Sequence, residues 1–175
     1  MPKKKNWLHD LGEILVAFVA AFVFYQLLAF ATGTPMPIVS VVSQSMYHSS
    51  PSPYASFDQW WNEKSSFYIS SGISKQEFKA FPNPNGMSRG DLLLVIKEKP
   101  RVGDIVIFQT TTAPYTIVHR VLRINTDGTL ETKGDANSGQ NSYEHSIPEE
   151  KIVGKVIFAV PLLGYPRLAL HAVGI

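Results

Sequence analysis

An apolar run near the N-terminus constrains this chain more than any other feature. It extends over 18 residues from Ile14 to Ala31, and Gln26 is its only strongly polar member. As an α-helix rising about 1.5 Å per residue, the run would cover roughly 27 Å, close to the hydrocarbon core of a bilayer. The sequence therefore predicts one transmembrane helix, and the rest of the 175 residues is enough for one further domain.

The distribution of lysines predicts how this helix is oriented. Lys3, Lys4 and Lys5 precede the apolar run, and the next basic residue is Lys64. The positive-inside rule then places the N-terminus in the cytosol and the rest of the chain on the extracytoplasmic side of the cell membrane. Residues 1–32 are predicted to be the cytosolic N-terminus and single-pass anchor, and residues 33–175 the extracytoplasmic domain. A cleaved secretory signal is the competing interpretation, but its apolar core is usually only about 7 to 15 residues long.

Composition argues against several classes of protein. The net charge of +2, with scattered basic residues, is too small for a nucleic-acid surface. The chain has no cysteine, so it can form neither a disulfide nor a thiolate metal site. Its 5 histidines lack the spacing of zinc ligands. We predict no metal and no cofactor.

Short runs rich in β-branched residues recur after the apolar segment and predict strands. They are Ile38 to Val42, Asp91 to Ile96, Asp104 to Phe108, Ile117 to Ile124, Thr129 to Lys133 and Ile152 to Val160. Asp127-Gly128 lies between two of them and predicts a hairpin with a two-residue type I′ turn. The outer domain is therefore expected to be mainly antiparallel β.

Residues 47–88 differ from this pattern, since they are rich in serine, proline and aromatic side chains. Ser74-x-x-Glu77 predicts a capping box that opens a short helix, and Ser56-x-x-Gln59 a second helix start. We interpret the region as a small helical insert whose aromatic residues either cover the β core, the favoured alternative, or touch the membrane. The C-terminal run from Val156 to Ile175 is apolar but interrupted by prolines, which favours a final strand and a surface-lying tail over a second span.

Ser45 and His119 are the candidates for chemistry. A serine hydroxyl is a weak nucleophile and needs a base within hydrogen-bond reach. His119 shares a predicted strand face with Ile117 and Val121. A histidine there is commonly a packed core residue, but an imidazole, with an unperturbed pKa of about 6.5, can also act as a general base at neutral pH.

Asp135 is the candidate for orienting that imidazole. It follows Gly134 after a predicted strand, where an aspartate can equally be a turn residue that bonds its own backbone. Asp91 and Asp104 also follow glycines, but they precede strands, and we interpret them as turn residues.

Four motifs taken together carry a family resemblance. They are Ser43-Gln44-Ser45-Met46, Gly103-Asp104-Ile105-Val106-Ile107-Phe108, Ile117-Val118-His119-Arg120-Val121 and Lys133-Gly134-Asp135-Ala136-Asn137. In this order after one N-terminal span, they resemble type I signal peptidases. The histidine at position 119 matches the archaeal and endoplasmic-reticulum branch of this family, in which histidine takes the place of the lysine base of the bacterial branch.

The resemblance implies a signal-peptidase-like antiparallel β catalytic domain that removes signal peptides from secretory preproteins. It implies that Ser45 is the nucleophile, His119 the general base and Asp135 an acidic partner, with the Ser43 hydroxyl contributing to an oxyanion hole. The family commonly has a second aspartate six positions after the first, where this chain has Asn141; Glu144 is the nearest following acid. Asp135 is the favoured partner of His119, and Glu144 the alternative.

The resemblance also implies the partners. Ser45 follows the span by 14 residues, which predicts a site near the bilayer surface, where signal peptides end. The substrate would bind as an added strand along Ile38 to Val42. The expected partners are secretory preproteins and the lipid bilayer, with the translocation machinery a further candidate and nucleic acid excluded. The alternatives are a membrane-anchored β-rich binding or assembly module that is not an enzyme, and a related protease with other substrates.

Overall fold

A computed structural model of the chain describes residues 7–50, 56–166 and 168. Its first element is a single long helix, α1, over Trp7–Thr32. None of the 26 residues of α1 is buried against the rest of the chain, although most of them are apolar. Within the described residues, α1 is the one helix long and apolar enough to cross a membrane. The lysines at positions 3 to 5 and the C-terminal residues 169–175 lie outside the described residues.

Six strands form one sheet in the order β1-β2-β6-β3-β4-β5, and every neighbouring pair is antiparallel. The strands are β1 (Ile38–Ser40), β2 (Leu92–Ile96), β3 (Ile105–Phe108), β4 (Ile117–Ile124), β5 (Leu130–Lys133) and β6 (Ile152–Val160). Each lies within one of the six predicted runs. The predicted fold class, a mainly antiparallel β domain with a small helical insert after an N-terminal apolar helix, is confirmed.

The sheet is covered on both faces around β3. Ile105 and Ile107 pack into one apolar cluster, whereas Val106 and Phe108 pack into another. Successive strand residues point to opposite faces, so a strand buried along its whole length must have a core on each side. β1 is different, because it pairs only with β2 and forms an edge of the described sheet.

The β4–β5 hairpin is present, but the predicted turn type is wrong. Gly128 has a positive φ of 86°, whereas Asp127 does not. The Asp127 carboxylate instead accepts hydrogen bonds from the backbone N–H and the hydroxyl of Thr129, at 2.9 and 2.7 Å. This side-chain turn bends the chain, so only the glycine position needs the left-handed conformation.

The insert contains α2 (Phe57–Lys64), α3 (Ser66–Ser70) and α4 (Lys75–Ala80). Both predicted helix starts are confirmed, since Ser56 caps α2 and Ser74 forms the predicted capping box with Glu77. We call residues 56–81 the aromatic insert. Its buried side chains form one cluster with Leu122 of β4, namely Phe57, Trp60, Trp61, Tyr68, Ile73 and Phe78. These aromatic residues therefore cover the β core, as the favoured alternative predicted.

Two hydrogen bonds fix the β domain to the end of α1. The backbone N–H of Lys97 donates to the Thr32 carbonyl at 2.8 Å. The Thr34 hydroxyl donates to the Val153 carbonyl at 3.0 Å. Because Lys97 follows β2 and Val153 belongs to β6, the C-terminal end of the apolar helix is attached to the sheet itself.

Candidate active site

An open cleft of about 810 Å³ brings together three of the predicted site residues, Ser43, Ser45 and His119. Ser45 lies shortly after β1, whereas His119 belongs to β4. Ser43 also lines the cleft, and its hydroxyl oxygen is 3.1 Å from that of Ser45. Residues more than 70 positions apart in the chain are thus neighbours at one surface, as the predicted serine–histidine pair requires.

Gly134 makes the close approach of Ser45 and His119 possible. A Cβ at position 134 would stand 2.7 Å from His119 Nε2 and 2.7 Å from the Ser45 carbonyl oxygen. Both distances are shorter than van der Waals contact allows. The missing side chain therefore leaves room for the imidazole to lie against residues 45–48, which we call the serine turn.

Among the described residues, no hydrogen bond joins the Ser45 hydroxyl to His119 Nε2. In ligand-free enzymes, a catalytic hydrogen bond often has such an open geometry and forms fully only when substrate is bound. The Ser45 hydroxyl is instead paired with that of Ser43. The geometry thus places the candidate nucleophile and the candidate base in one cleft, without a hydrogen bond between them.

Glu144 binds the second ring nitrogen of His119, Nδ1. Its Oε1 bonds His119 Nδ1, and its Oε2 accepts hydrogen bonds of 2.7 Å each from the backbone N–H and the side-chain amide of Asn141. Burial alone would raise the pKa of Glu144, but the bonds from His119 and Asn141 outweigh it and hold that pKa below its ordinary value. An ionised Glu144 accepts a hydrogen bond from Nδ1–H, which leaves the Nε2 lone pair free to act as a base.

The prediction that Asp135 rather than Glu144 orients His119 is wrong in this structure. Asp135 is fully buried on the opposite face of β4, where it pairs with Arg120. Adjacent strand residues point to opposite faces, so a carboxylate that binds Arg120 does not reach His119. The guanidinium donates to both oxygens of Asp135, with Nε–Oδ1 at 3.0 Å and Nη2–Oδ2 at 2.7 Å.

Two further side chains complete the surroundings of Asp135. The Tyr68 hydroxyl donates to Oδ1 at 2.7 Å, and His48 Nε2 lies 2.9 Å from Oδ2. Burial would raise the pKa of Asp135, but Arg120 and the His48 hydrogen bond outweigh it and hold that pKa well below its ordinary value. Asp135 is therefore an anion with four donor contacts, sealed away from the cleft.

The sequence reasoning missed His48, Tyr68 and Arg120. Arg120 carried the available signal, because an arginine between apolar residues of a strand needs a buried anionic partner. That requirement points to the nearest carboxylate after the next strand, which is Asp135. No comparable local pattern marks His48 or Tyr68, whose positions depend on how the insert folds back.

Lys133 is a second buried cation near this site. Its ammonium donates to the Gly134 carbonyl at 3.0 Å and lies 4.7 Å from the centre of the Tyr68 ring. Burial lowers the pKa of Lys133 to about 8, although the negative charge of Asp135 opposes the shift. Lys133 does not line the cleft, so it is not positioned to take a proton from Ser45. Within the described residues, no cluster of histidine and acidic side chains could hold a metal ion.

Comparisons with known proteins agree with these features. The chain is 30% identical to the signal peptidase complex catalytic subunit SEC11 of Lachancea thermotolerans, over 87% of this chain and 77% of that protein. It is 29% identical to the protein of the same name from Saccharomyces cerevisiae, over 90% of this chain and 80% of that one. No family model matches the chain.

Proposed function

This chain belongs to the family of signal peptidase catalytic subunits, and we propose that it is a membrane-anchored serine endopeptidase that removes signal peptides from secretory preproteins. One observation carries the serine mechanism. Ser45 and His119 face one cleft, and a buried carboxylate holds the imidazole from behind. A non-enzymatic binding module would not need this arrangement.

In the proposed mechanism the Ser45 oxygen attacks the scissile carbonyl while His119 Nε2 takes the hydroxyl proton. Glu144 keeps the Nδ1 proton in place and stabilises the imidazolium that forms. The intermediate collapses when His119 returns the proton to the departing amine, which leaves the signal peptide esterified to Ser45. Water, deprotonated by His119, then releases the acyl group and restores the serine.

The oxyanion of each tetrahedral intermediate needs donors close to Ser45. The Ser45 backbone N–H and the Ser43 hydroxyl are the proposed pair, and the 3.1 Å separation of the two hydroxyl oxygens supports this assignment. Loss of one such donor typically lowers kcat by about 10²- to 10³-fold. Ser43→Ala should therefore slow cleavage strongly without abolishing it.

The substrate is proposed to bind as an extended strand beside β1. Val39 of β1 and the following Val41 and Val42 line the cleft, and so do Ile117 and Val118 of β4. An added strand would take backbone hydrogen bonds from the edge and present alternate side chains to these apolar walls. Small residues next to the scissile bond are the expected preference.

The attachment of α1 to the sheet supports a site close to the membrane. We propose that α1 spans the bilayer with a cytosolic N-terminus, so that the domain from residue 33 onward is extracytoplasmic. Ser45 follows Thr32 by only 13 residues, and the Thr32 carbonyl is bound to the sheet through Lys97. Enzyme and signal peptide held in one membrane meet at a raised effective concentration. The bilayer and preproteins are the proposed partners, and the translocation machinery is a further one.

A cleavage assay tests the proposal directly. The purified full-length chain in detergent or vesicles is incubated with a model preprotein, and the mature product and its new N-terminus are identified. Ser45→Ala should abolish cleavage, whereas Ser138→Ala, an exposed hydroxyl outside the cleft, should leave it unchanged. Undiminished cleavage by a folded Ser45→Ala protein would refute the serine mechanism. A product cut elsewhere than after the signal peptide would favour the related protease with other substrates.

A further inference from the structure

His48 is a buried histidine that the proposed reaction does not use. It follows Ser45 by three positions, is only 1% exposed, and does not line the cleft. Its ring stacks on Trp60 of the aromatic insert, with the ring centroids 3.7 Å apart and the planes 3° from parallel. Its Nε2 is bound to Asp135. The residue thus connects the serine turn to two other parts of the molecule.

The surroundings of His48 determine which ring nitrogen carries its proton. Asp135 is an anion already paired with Arg120, so Nε2 of His48 must be the donor in their hydrogen bond. Burial lowers the pKa of His48, and the positive charges of Arg120 and Lys133 act in the same direction against the opposing effect of Asp135. His48 is therefore a neutral donor. Nδ1 has no hydrogen-bond partner among the described residues.

The serine turn is held at both ends by one segment, residues 134–136. The Ser45 carbonyl accepts a hydrogen bond of 2.8 Å from the Ala136 N–H. Three residues later, His48 bonds the side chain of Asp135 at 2.9 Å. Gly134 of the same segment lies against His119 Nε2. The position of Ser45 relative to His119 is consequently set through this segment.

We propose that His48 is a positioning residue, which holds the serine turn beside His119 by means of its bond to Asp135. This inference rests on the proposed serine mechanism and deepens it. Trp60 supports the ring from the insert side. A misplacement of about 1 Å at a reacting group can cost roughly 10²-fold in rate, so a contact outside the cleft can control the chemistry.

Three variants separate positioning from general stability. His48→Phe keeps an aromatic ring against Trp60 but loses the donor, whereas His48→Gln keeps a donor within reach of Asp135. Tyr68→Phe is the matched control, because it removes a 2.7 Å hydrogen bond to the same carboxylate without touching the serine turn. Thermal unfolding of all three in detergent identifies any variant that fails to fold.

The expected result is a split between kcat and KM. His48→Phe should lower kcat by about 10- to 100-fold with KM within about twofold, because substrate contacts stay in place. His48→Gln should restore most of kcat, and Tyr68→Phe should stay within about threefold of the unmodified protein. The proposal is overturned if folded His48→Phe keeps full kcat, or if Tyr68→Phe loses as much kcat as the His48 variants. Should His48→Phe not fold, His48→Leu, which also lacks the donor, takes its place: a kcat loss larger than that of Tyr68→Phe supports the proposal, and an equal loss overturns it.

A second readout does not depend on cleavage. The chain has 0 cysteines, so Ser45→Cys provides a single thiol whose alkylation rate by iodoacetamide reports thiolate formation beside His119. Adding His48→Phe should slow alkylation at neutral pH several-fold, and adding Tyr68→Phe should not. An unchanged rate with His48→Phe contradicts the positioning role. If the unmodified chain leaves the preprotein intact, the proposed function fails, and the alkylation comparison still decides the role of His48.

Discussion

Asp135 and Glu144 are both buried carboxylates bonded to a histidine, yet they lie in different environments. Glu144 binds His119, whose ring faces the cleft, whereas Asp135 binds His48 and Arg120 in a region sealed by the aromatic insert. A carboxylate–histidine pair is catalytic only where the free ring nitrogen can reach a substrate. The difference supports the proposed roles, proton transfer for the Glu144–His119 pair and positioning for the Asp135–His48 pair.

The largest expected effect comes from Glu144→Gln. An amide in this place can donate to Nδ1 and so favour the histidine tautomer whose Nε2 already carries a proton. We expect kcat to fall by about 10³- to 10⁴-fold, while thermal unfolding changes little because the side chains have the same shape. The measurement is preprotein cleavage under single-turnover conditions.

Two controls sharpen the Glu144 result. Glu150→Gln removes an exposed carboxylate and should leave kcat unchanged. Glu144→Asp keeps the charge and should recover part of the lost activity. If Glu144→Gln remains fully active, His119 does not depend on this carboxylate. The proposed catalytic role of the Glu144–His119 pair would then be wrong.

Asp135→Asn should differ from Glu144→Gln, because its largest effect is a loss of stability. Breaking one partner of a buried ion pair leaves the Arg120 charge uncompensated and costs about 3 to 5 kcal/mol in the free energy of unfolding. Denaturant unfolding of the detergent-solubilised protein measures this loss. The matched surface substitution, Asp58→Asn, breaks exposed pairs with Lys75 and Lys79 and should leave the free energy of unfolding nearly unchanged.

The pH dependence distinguishes Asp135 further. Its pKa in the folded protein lies below the unfolded value, so its stabilising effect is present above about pH 4 and is lost as the pH falls through the folded pKa. Asp135→Asn should remove this part of the acid sensitivity. An Asp135→Asn protein as stable as the original, with the same acid midpoint, would contradict an architectural role.

The sequence could predict what depends on local residues. Ser74 and Glu77 form the predicted capping box because both partners lie within one helical turn. Strand alternation predicted that His119 shares a face with Ile117 and Val121, and the resemblance carried by the four motifs predicted that Ser45 and His119 share a site. Glu144 could not be chosen over Asp135 in the same way. That choice depends on which face of β4 each loop returns to, and strand alternation around Arg120 was the one clue.

Lys133, which is buried near Asp135, should have a smaller effect, on the pH dependence of stability. Burial lowers its folded pKa to about 8, whereas an unfolded lysine titrates near 10.4. Between these values the unfolded chain binds more protons, so this group makes stability rise with pH, by about 2 to 3 kcal/mol in total. Lys133→Met should abolish the rise.

Comparing the free energy of unfolding at pH 8 and pH 10 in both proteins isolates the effect of Lys133. Other groups that titrate in this range and lie away from Lys133 contribute equally to both proteins and cancel. If the stability of Lys133→Met and of the unmodified chain depends on pH in the same way, Lys133 keeps its proton in the folded state. Its pKa would then not be lowered by burial.

The smallest expected effect comes from Gly134, which stands where the two regions meet. A methyl group there would lie 2.7 Å from both His119 Nε2 and the Ser45 carbonyl oxygen, so one of them must move. We expect Gly134→Ala to lower kcat by about tenfold while unfolding shifts only slightly, because the displaced groups border an open cleft. Gly139→Ala is the control, since a Cβ at position 139 meets nothing within 4 Å. Equal kcat in the two variants would mean that the serine turn tolerates displacement. The contacts between residues 134–136 and the serine turn would then not affect catalysis.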